Sequence, residues 1–210
     1  MAAHATVDPA LEGVAHDLSN VFQTIEEAAR LLSSDPKWSS ISAILGRSVE
    51  RGRAITRCLE QNSATPADVE QAVASAVDFA GDVLRALHIP EVEITRDVAP
   101  GLRLRGAACD WARVLLNLLV NAGEAMKHGG IVEVSARRSG GEIEIKVSDN
   151  GPGIPEALLP LVFRPNFSAR HRGSGMGLHI VDSLVRKNGG RVSAANRPGG
   201  GAEFCIVAPG

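Results

Sequence analysis

Leu11, Val14, Leu18, Val21, Ile25, Ala28 and Leu32 recur in alternating steps of three and four. That spacing is a heptad seam, the pattern of a helix packed along its length against partner helices. Asp8 followed by Pro9 reads as an N-cap with proline at the first helical position. The stretch Ser33-Ser34-Asp35-Pro36 breaks the pattern, and its Asp-Pro pair can cap a new start. A second helix is predicted beyond it, with Trp38, Ile41, Leu45, Val49, Ile55 and Leu59 at helical spacing and Gly46 and Gly52 weakening it locally. A hairpin of two such helices cannot cover both apolar seams alone. Two hairpins joined in a four-helix bundle can, so a homodimer is expected. Gln61 to Pro66, polar and ended by proline, then marks a boundary between a helical hairpin over 1–62 and a second domain over 66–210.

The period changes in that second domain. Residues 66–88 read as an amphipathic helix, EVEITRDV (91–98) and LRLRG (102–106) as short strands, and 109–130 as a helix ended by glycines. IVEVSARR (131–138) and EIEIKVSD (142–149) alternate with period two, as half-buried strands do. GLHIVDSLVRKNGG (177–190) is a further helix with a glycine stop, and RVSAA (191–195) and AEFCIVA (202–208) finish as strands. The expected class is α+β, with the hairpin followed by an α/β sandwich whose mostly antiparallel or mixed sheet carries helices on one face.

Composition narrows the classes. With 44% apolar residues the chain can bury a real core, and a formal net charge of −2 gives no footprint of a nucleic-acid binder. No apolar run approaches the roughly 18 residues a membrane span needs, since even VLLNLLV (114–120) is split by Asn117. The opening MAAHATVDPA lacks a charged-then-apolar signal pattern, so a cytoplasmic location is expected. Cys58, Cys109 and Cys205 form no CxxC pair and read as ordinary thiols of a reducing compartment.

Candidate chemistry lies at both ends of the chain. With Leu11 at heptad position a, His16 falls at f, farthest from the seam. Asp17 adjoins it, and Asn20 lies one turn later on the same face. An exposed imidazole beside a carboxylate can act as a nucleophile, although an ordinary polar surface would look the same on this helix alone. Asp149 continues the inward alternation of Ile143, Ile145 and Val147, and Gly151 and Gly153 follow it. A carboxylate emerging there can accept a hydrogen bond from an amine on a planar base, while the glycines let backbone approach a ligand. Gly173, Gly175 and Gly177 precede a helix, an arrangement that binds phosphate through backbone N–H groups, and Arg164, Arg170 and Arg172 could add charge. Asn117 and Asn121 stand one turn apart on the flank of an apolar helix and could offer amide oxygens to Mg²⁺.

In this order the segments resemble the sensor histidine kinases of two-component signalling. AHDLSN (15–20) is similar to the H box, NLLVNAGEA (117–125) to the N box, DNGPGIP (149–155) to the first glycine box and VFRPNF (162–167) to the F box. GSGMGL (173–178) is similar to the second glycine box and PGGGAEF (198–204) to the terminal glycine segment. Each box alone is weak, but together and in register they are highly specific.

The resemblance implies a dimerisation and histidine-phosphotransfer hairpin followed by an ATP-binding domain of the gyrase and heat-shock-chaperone superfamily, the Bergerat fold. His16 would be the phosphoacceptor and Asp17 its general base. Asp149 would recognise adenine, and Asn121, aided by Asn117, would bind Mg²⁺. Gly151, Gly153, Gly173, Gly175 and Gly177 would shape the nucleotide pocket together with Arg170, Met176 and Leu178, and Phe163 to Gly173 would form a short lid. Hydrolytic relatives carry a water-activating glutamate where this chain has Asn117, an amide that cannot act as a base. The implied activity is therefore phosphorylation of His16 from ATP and transfer to an aspartate in a response-regulator receiver domain. DLSN further suggests that Asn20 orients a water for dephosphorylating that partner.

The H box departs from the commonest pattern, with Val21 where proline is usual; it is more similar to the HDFNN type. Met176 stands in for the usual leucine, a change close to volume-conserving. Two other readings compete: a histidine phosphotransferase adaptor with a degenerate ATP fold, and a serine kinase acting on anti-sigma-type partners. Asp149 with its glycines argues against the adaptor, since a relay needs no adenine carboxylate.

Overall fold

The computed structural model describes residues 9–39, 41–42, 45–46, 49, 52, 66–89, 92–126, 128–165, 167 and 176–210. The chain divides into two compact units, Met1–Ser63 and Ala64–Gly210.

The first unit is built on α1 (Pro9–Leu32), which starts at the predicted proline. It ends where Ser33 and Ser34 turn their hydroxyls back onto the carbonyls of Arg30 and Leu31, both at 2.6 Å. Serine competing for main-chain acceptors in this way is what makes it a helix stop. Pro36–Trp38 form a 3-10 turn, tied by the Lys37 amide donating to the Asp35 carboxylate at 2.9 Å. Trp38 therefore sits in the connection, 39% exposed, and not in the second helix as its spacing predicted. Residues 41, 42, 45, 46, 49 and 52 are helical.

The seam is only partly covered within one chain. Ile25 and Leu32 are half-buried, whereas Leu18, Val21 and Ala28 are exposed. Phe22 and Ala29, which the heptad reading left off the seam, are among the covered positions of α1. Val49 is buried on the second helical stretch, and Gly52 faces the Phe22 ring: a Cβ there would lie 2.3 Å from ring atoms. Gly52 is thus a packing residue, while Gly46 has nothing within 4 Å of the same position.

The second unit opens with β1 (Ala67–Asp68), which pairs antiparallel with β3 (Arg103–Leu104). The predicted helix over 66–88 is consequently shorter, α2 (Val69–Ala86), because Asp68 leaves the strand to cap it and accepts from the Gln71 amide at 3.1 Å. β2 (Val92–Val98), α3 (Ala108–Ala125), β4 (Gly130–Ser139), β5 (Glu142–Asp149), a 3-10 turn at Glu156–Leu161, α4 (Gly177–Lys187), β6 (Arg191–Asn196) and β7 (Ala202–Pro209) follow. α3 stops at Ala125, ahead of the glycines predicted to end it. Met126 turns inward to 3% exposure, and Gly130 already pairs with Val92.

The sheet is five-stranded in the order β2-β4-β5-β7-β6, mixed as expected: β2 and β4 are parallel and the remaining pairs antiparallel. One face carries Val132, Val134, Ile143, Ile145, Val147, Phe204 and Ile206 into the core against Trp111, Leu115 and Leu118 of α3 and Val181 and Val185 of α4. Trp111 keeps its indole N–H satisfied by donating to the Arg105 carbonyl at 2.8 Å. Gly123 lets α2 and α3 approach closely, since a Cβ there would meet the Leu84 side chain at 2.5 Å. The other face is polar. There Arg137 of β4 holds the Asp97 carboxylate of β2, and Arg191 of β6 bonds Glu142 of β5 at 3.0 Å. Among the described residues no helix is long and apolar enough to cross a membrane.

Candidate functional site

Period two along β5 carries Asp149 to the core side at the strand end, where it is 4% exposed. A buried carboxylate needs partners, and here the backbone supplies them. Oδ1 accepts the Gly151 N–H at 2.8 Å and the Ala202 N–H at 3.2 Å. The first of these folds the loop back on the strand; the second ties it to the start of β7. Both bonds converge on one oxygen, so the acid is oriented by its own main chain, and Oδ2 receives no bond among the described contacts.

The loop after Asp149 is pinned by amides. Asn150 accepts the Ile131 N–H on its Oδ1 at 2.9 Å and donates its own N–H to the Ile131 carbonyl at 3.2 Å. At the far end Asn196 accepts the Ile154 N–H and donates to the Ile154 carbonyl, both at 2.7 Å. Arg197 reaches the Asp149 carbonyl at 3.4 Å and the Glu133 carboxylate at 2.9 Å. Gly201, at φ +91°, lies so close to this strand end that a Cβ would fall 1.9 Å from the Asp149 carbonyl oxygen. Asn196 and Arg197 lie outside every quoted motif, and Asn150 falls inside DNGPGIP with no role assigned to it there. The available signal is polar residues at strand ends flanking the two glycine runs.

The N-box helix and the second glycine segment come together. Asn117 on α3 spends its N–H₂ on the Arg113 carbonyl at 2.8 Å, and its Oδ1 would lie 3.4 Å from a Cβ at Gly177. Asn121, one turn on, is likewise half-buried. α4 starts at Gly177 after Met176, with no side-chain cap and no acidic residue in its first turn. A helix start without a side-chain cap is a place where N–H donors and the positive end of the dipole can meet an anion. Met176 is 38% exposed, while Leu178 packs partly buried against the core. The F-box segment is anchored nearby: the Phe163 ring stands edge-on to Phe204 at 6.3 Å, and His179 Nδ1 lies 3.3 Å from the Phe163 carbonyl oxygen.

Arg170, Arg172, Gly173 and Gly175 lie outside the described residues. In the first unit, His16, Asp17 and Asn20 fall on the unbroken backbone of α1, and Asn20 is exposed; the side chains of His16 and Asp17 are outside the description. Thr24 donates its hydroxyl to the Asn20 carbonyl at 3.1 Å.

The donor chemistry fits a hard cation carried with phosphate. Among the described residues no group of three or more His, Cys, Asp or Glu could hold a metal ion. The amide oxygens of Asn117 and Asn121 are oxygen ligands of the kind Mg²⁺ takes alongside water and phosphate. Cys109 and Cys205 are free, and burial, with Glu144 nearby, pushes the Cys205 thiol up.

Residues 109–210 match the family model described as histidine kinase-, DNA gyrase B- and HSP90-like ATPase. The sensor histidine kinase ZraS of Klebsiella oxytoca is 28% identical over 211 residues, covering 94% of this chain and 45% of that protein. The chain thus spans about half the length of the curated relatives it matches. The solved structure of the mycobacterial sensor histidine kinase MprB superposes with a TM-score of 0.62 at 30% identity, over 70% of this chain and 98% of that one. Full-length ShkA in complex with AMPPNP gives 0.63 at 24% identity over 97% of this chain and 46% of that one, a likeness of fold alone.

Proposed function

The chain belongs to the sensor histidine kinases with a GHKL-type ATP-binding domain, and from that membership we propose that it is an ATP-dependent protein-histidine kinase acting on its own His16. The observation that carries the proposal is Asp149: a buried carboxylate at a strand end, one oxygen held by two main-chain donors and the other turned to no described partner. Oδ2 accepts the exocyclic amine of adenine, and the uncapped start of α4 with Gly177 receives phosphate. The loop residues Gly151 and Gly153 wall the base, and Arg170, Gly173, Gly175, Met176 and Leu178 complete the nucleotide site. Asn121 and Asn117 would hold Mg²⁺, which would neutralise charge on the phosphates.

A neutral ring nitrogen of His16 forms the new N–P bond to the terminal phosphorus. The bond from that phosphorus to the bridging oxygen breaks, ADP leaves with the electron pair, and Asp17 takes the ring proton. With an amide at position 117 and not a carboxylate, no described side chain there can activate water, which favours the delivered imidazole. The phosphoryl group then passes to an aspartate of a response-regulator receiver domain, and Asn20 orients water for the reverse dephosphorylation.

We further assign residues 1–62 to a hairpin that dimerises into a four-helix bundle and 66–210 to the catalytic domain, working in the cytoplasm. The exposure of Leu18, Val21 and Leu31 along α1 supports a covering partner, and a second copy of the hairpin presents the matching stripe. The test is incubation with labelled ATP and Mg²⁺. Acid-labile, base-stable label that disappears in His16→Ala is the expected result. Acid-stable label would point to serine or threonine, and label accepted only from a phosphorylated regulator, with no affinity for ATP, to the adaptor reading.

A further inference from the structure

We propose that Asn196 is a positioning residue for the nucleotide: it holds the loop after Asp149 in its binding shape from the opposite strand, so that the pocket exists before ligand arrives. The inference rests on the reading of Asp149 as the adenine acceptor.

Residues 150–155 carry no regular secondary structure, yet they must set the walls beside a carboxylate that is oriented from within the same loop. Asp149 Oδ1 and the Asn150–Ile131 pair fix the start of the loop. Its end is fixed from outside. Asn196, the last residue of β6, turns its amide edge-on to Ile154 and makes the two bonds a neighbouring strand would make, both at 2.7 Å. A side-chain amide thus stands in for backbone at a place where the sheet has ended. Gly153 reflects the same contact. At φ +74°, a Cβ there would come 2.9 Å from Asn196 Oδ1 and 3.4 Å from the Gly201 carbonyl, so this glycine makes room for the clamp as well as for a ligand.

The next residue extends the grip to the other end. Arg197 contacts the Asp149 carbonyl, and the turn it opens closes through its N–H donating to the Gly201 carbonyl at 3.0 Å. Asn196 and Arg197 therefore bracket the loop from one short segment, at Ile154 and at Asp149. Asn196 is itself exposed and absent from the core, so its amide contributes to no packing that the fold needs. Ordering a loop in advance spares the ligand that entropic cost, which is how a residue without ligand contact raises affinity.

The experiment uses the full chain, with Mg²⁺–ADP binding measured by calorimetry and amide hydrogen exchange read at Ile154 and at the core strands. In Asn196→Ala the dissociation constant should rise about tenfold, with Ile154 losing protection while Ile145 and Ile206 keep theirs. Asn196→Asp retains the acceptor for the Ile154 N–H but sets an oxygen against the Ile154 carbonyl, and should give a smaller rise of about threefold together with partial protection. Affinity unchanged in both variants overturns the proposal, as does a loss that comes with exposure of the core amides. A wild-type chain with no affinity for Mg²⁺–ADP overturns the parent reading and this one with it. A wild-type chain that binds while Asn196→Ala binds equally well overturns this one alone.

Discussion

In the second unit Trp111, Leu118, Phe204 and Ile206 are each no more than 1% exposed, whereas along α1 Leu31 is 76% and Val21 53% exposed. Both regions carry regular apolar patterns, and the difference lies in what each pattern has to pack against. A sheet with three helices across one face closes on itself, so the inward positions of its central strands find cover within the same chain. A two-helix unit has one internal interface, and its remaining apolar stripe stays bare until another surface meets it. The sandwich covers its own apolar face, then, whereas α1 leaves part of its apolar pattern exposed.

The largest expected effect tests the functional half of that contrast. Asp149→Asn keeps an oxygen for the Gly151 and Ala202 amides but, on the proposed reading, would set N–H₂ against the amine of adenine, donor against donor. ADP affinity should fall about a hundredfold while self-association measured by ultracentrifugation stays as in the wild type. Asp149→Ala is the poorer probe, because it also removes the acceptor that shapes the loop. Weakened self-association in Asp149→Asn would overturn the assignment of the proposed dimer contact to the hairpin alone.

Next comes a paired truncation. Phe204→Ala should destabilise the sandwich by about 3–5 kcal/mol, the usual cost of an emptied aromatic site. Leu31→Ala should cost about 0.5 kcal/mol or less at protein concentrations low enough to dissociate the chain, and about 2 kcal/mol or more when a partner covers it. Urea melts at two protein concentrations decide it. A concentration-independent Leu31→Ala effect would remove the case for association through this stripe.

A smaller effect separates the two glycines of the hairpin. Gly52→Val drives side-chain atoms into the Phe22 ring and should cost about 1–3 kcal/mol, while Gly46→Ala meets nothing and should gain about 0.5–1 kcal/mol from helix propensity. Equal responses in thermal melts would mean that Gly52 is not a packing position.

The smallest belongs to the polar face of the sheet. A hydrogen bond from Arg137, reinforced by its charge, holds the Asp97 carboxyl below its ordinary value, and Arg191 does the same for Glu142. Stability from such pairs is present above the ordinary carboxylate range and fades as pH falls through the lowered folded value. The urea midpoint of Arg137→Met should therefore sit slightly below the wild type near pH 7 and converge with it as the pH falls through the lowered Asp97 value, with the gap also shrinking in high salt. A gap that persists in acid would assign Arg137's contribution to packing.

Periodicity and turn chemistry made most elements legible in the sequence. β5 begins and ends where its alternation does, α1 begins at Pro9, and α4 stops ahead of Gly189. These are local effects, decided by residues a few positions apart. The misses occurred where distant segments compete for the same backbone. Asp68 left a predicted helix for a strand because Arg103 pairs with it, and α3 ended early because Met126 is drawn inward and Gly130 is taken by β2. Phe22 lies off the heptad seam because that seam describes one interface, whereas α1 covers Phe22 and Ala29 together with the seam residues Ile25 and Leu32.

By itself, then, the sequence determined the period of each element, the inward direction of Asp149 and the order of the glycine segments. Tertiary structure alone decided that Ala202 would share Asp149 with Gly151, that Asn117 would lie beside Gly177, and that Asn196 would complete a loop 42 residues away. Hydrogen bonds of that kind depend on strand register and loop closure, which are properties of the assembled sheet and leave no periodic trace along the chain.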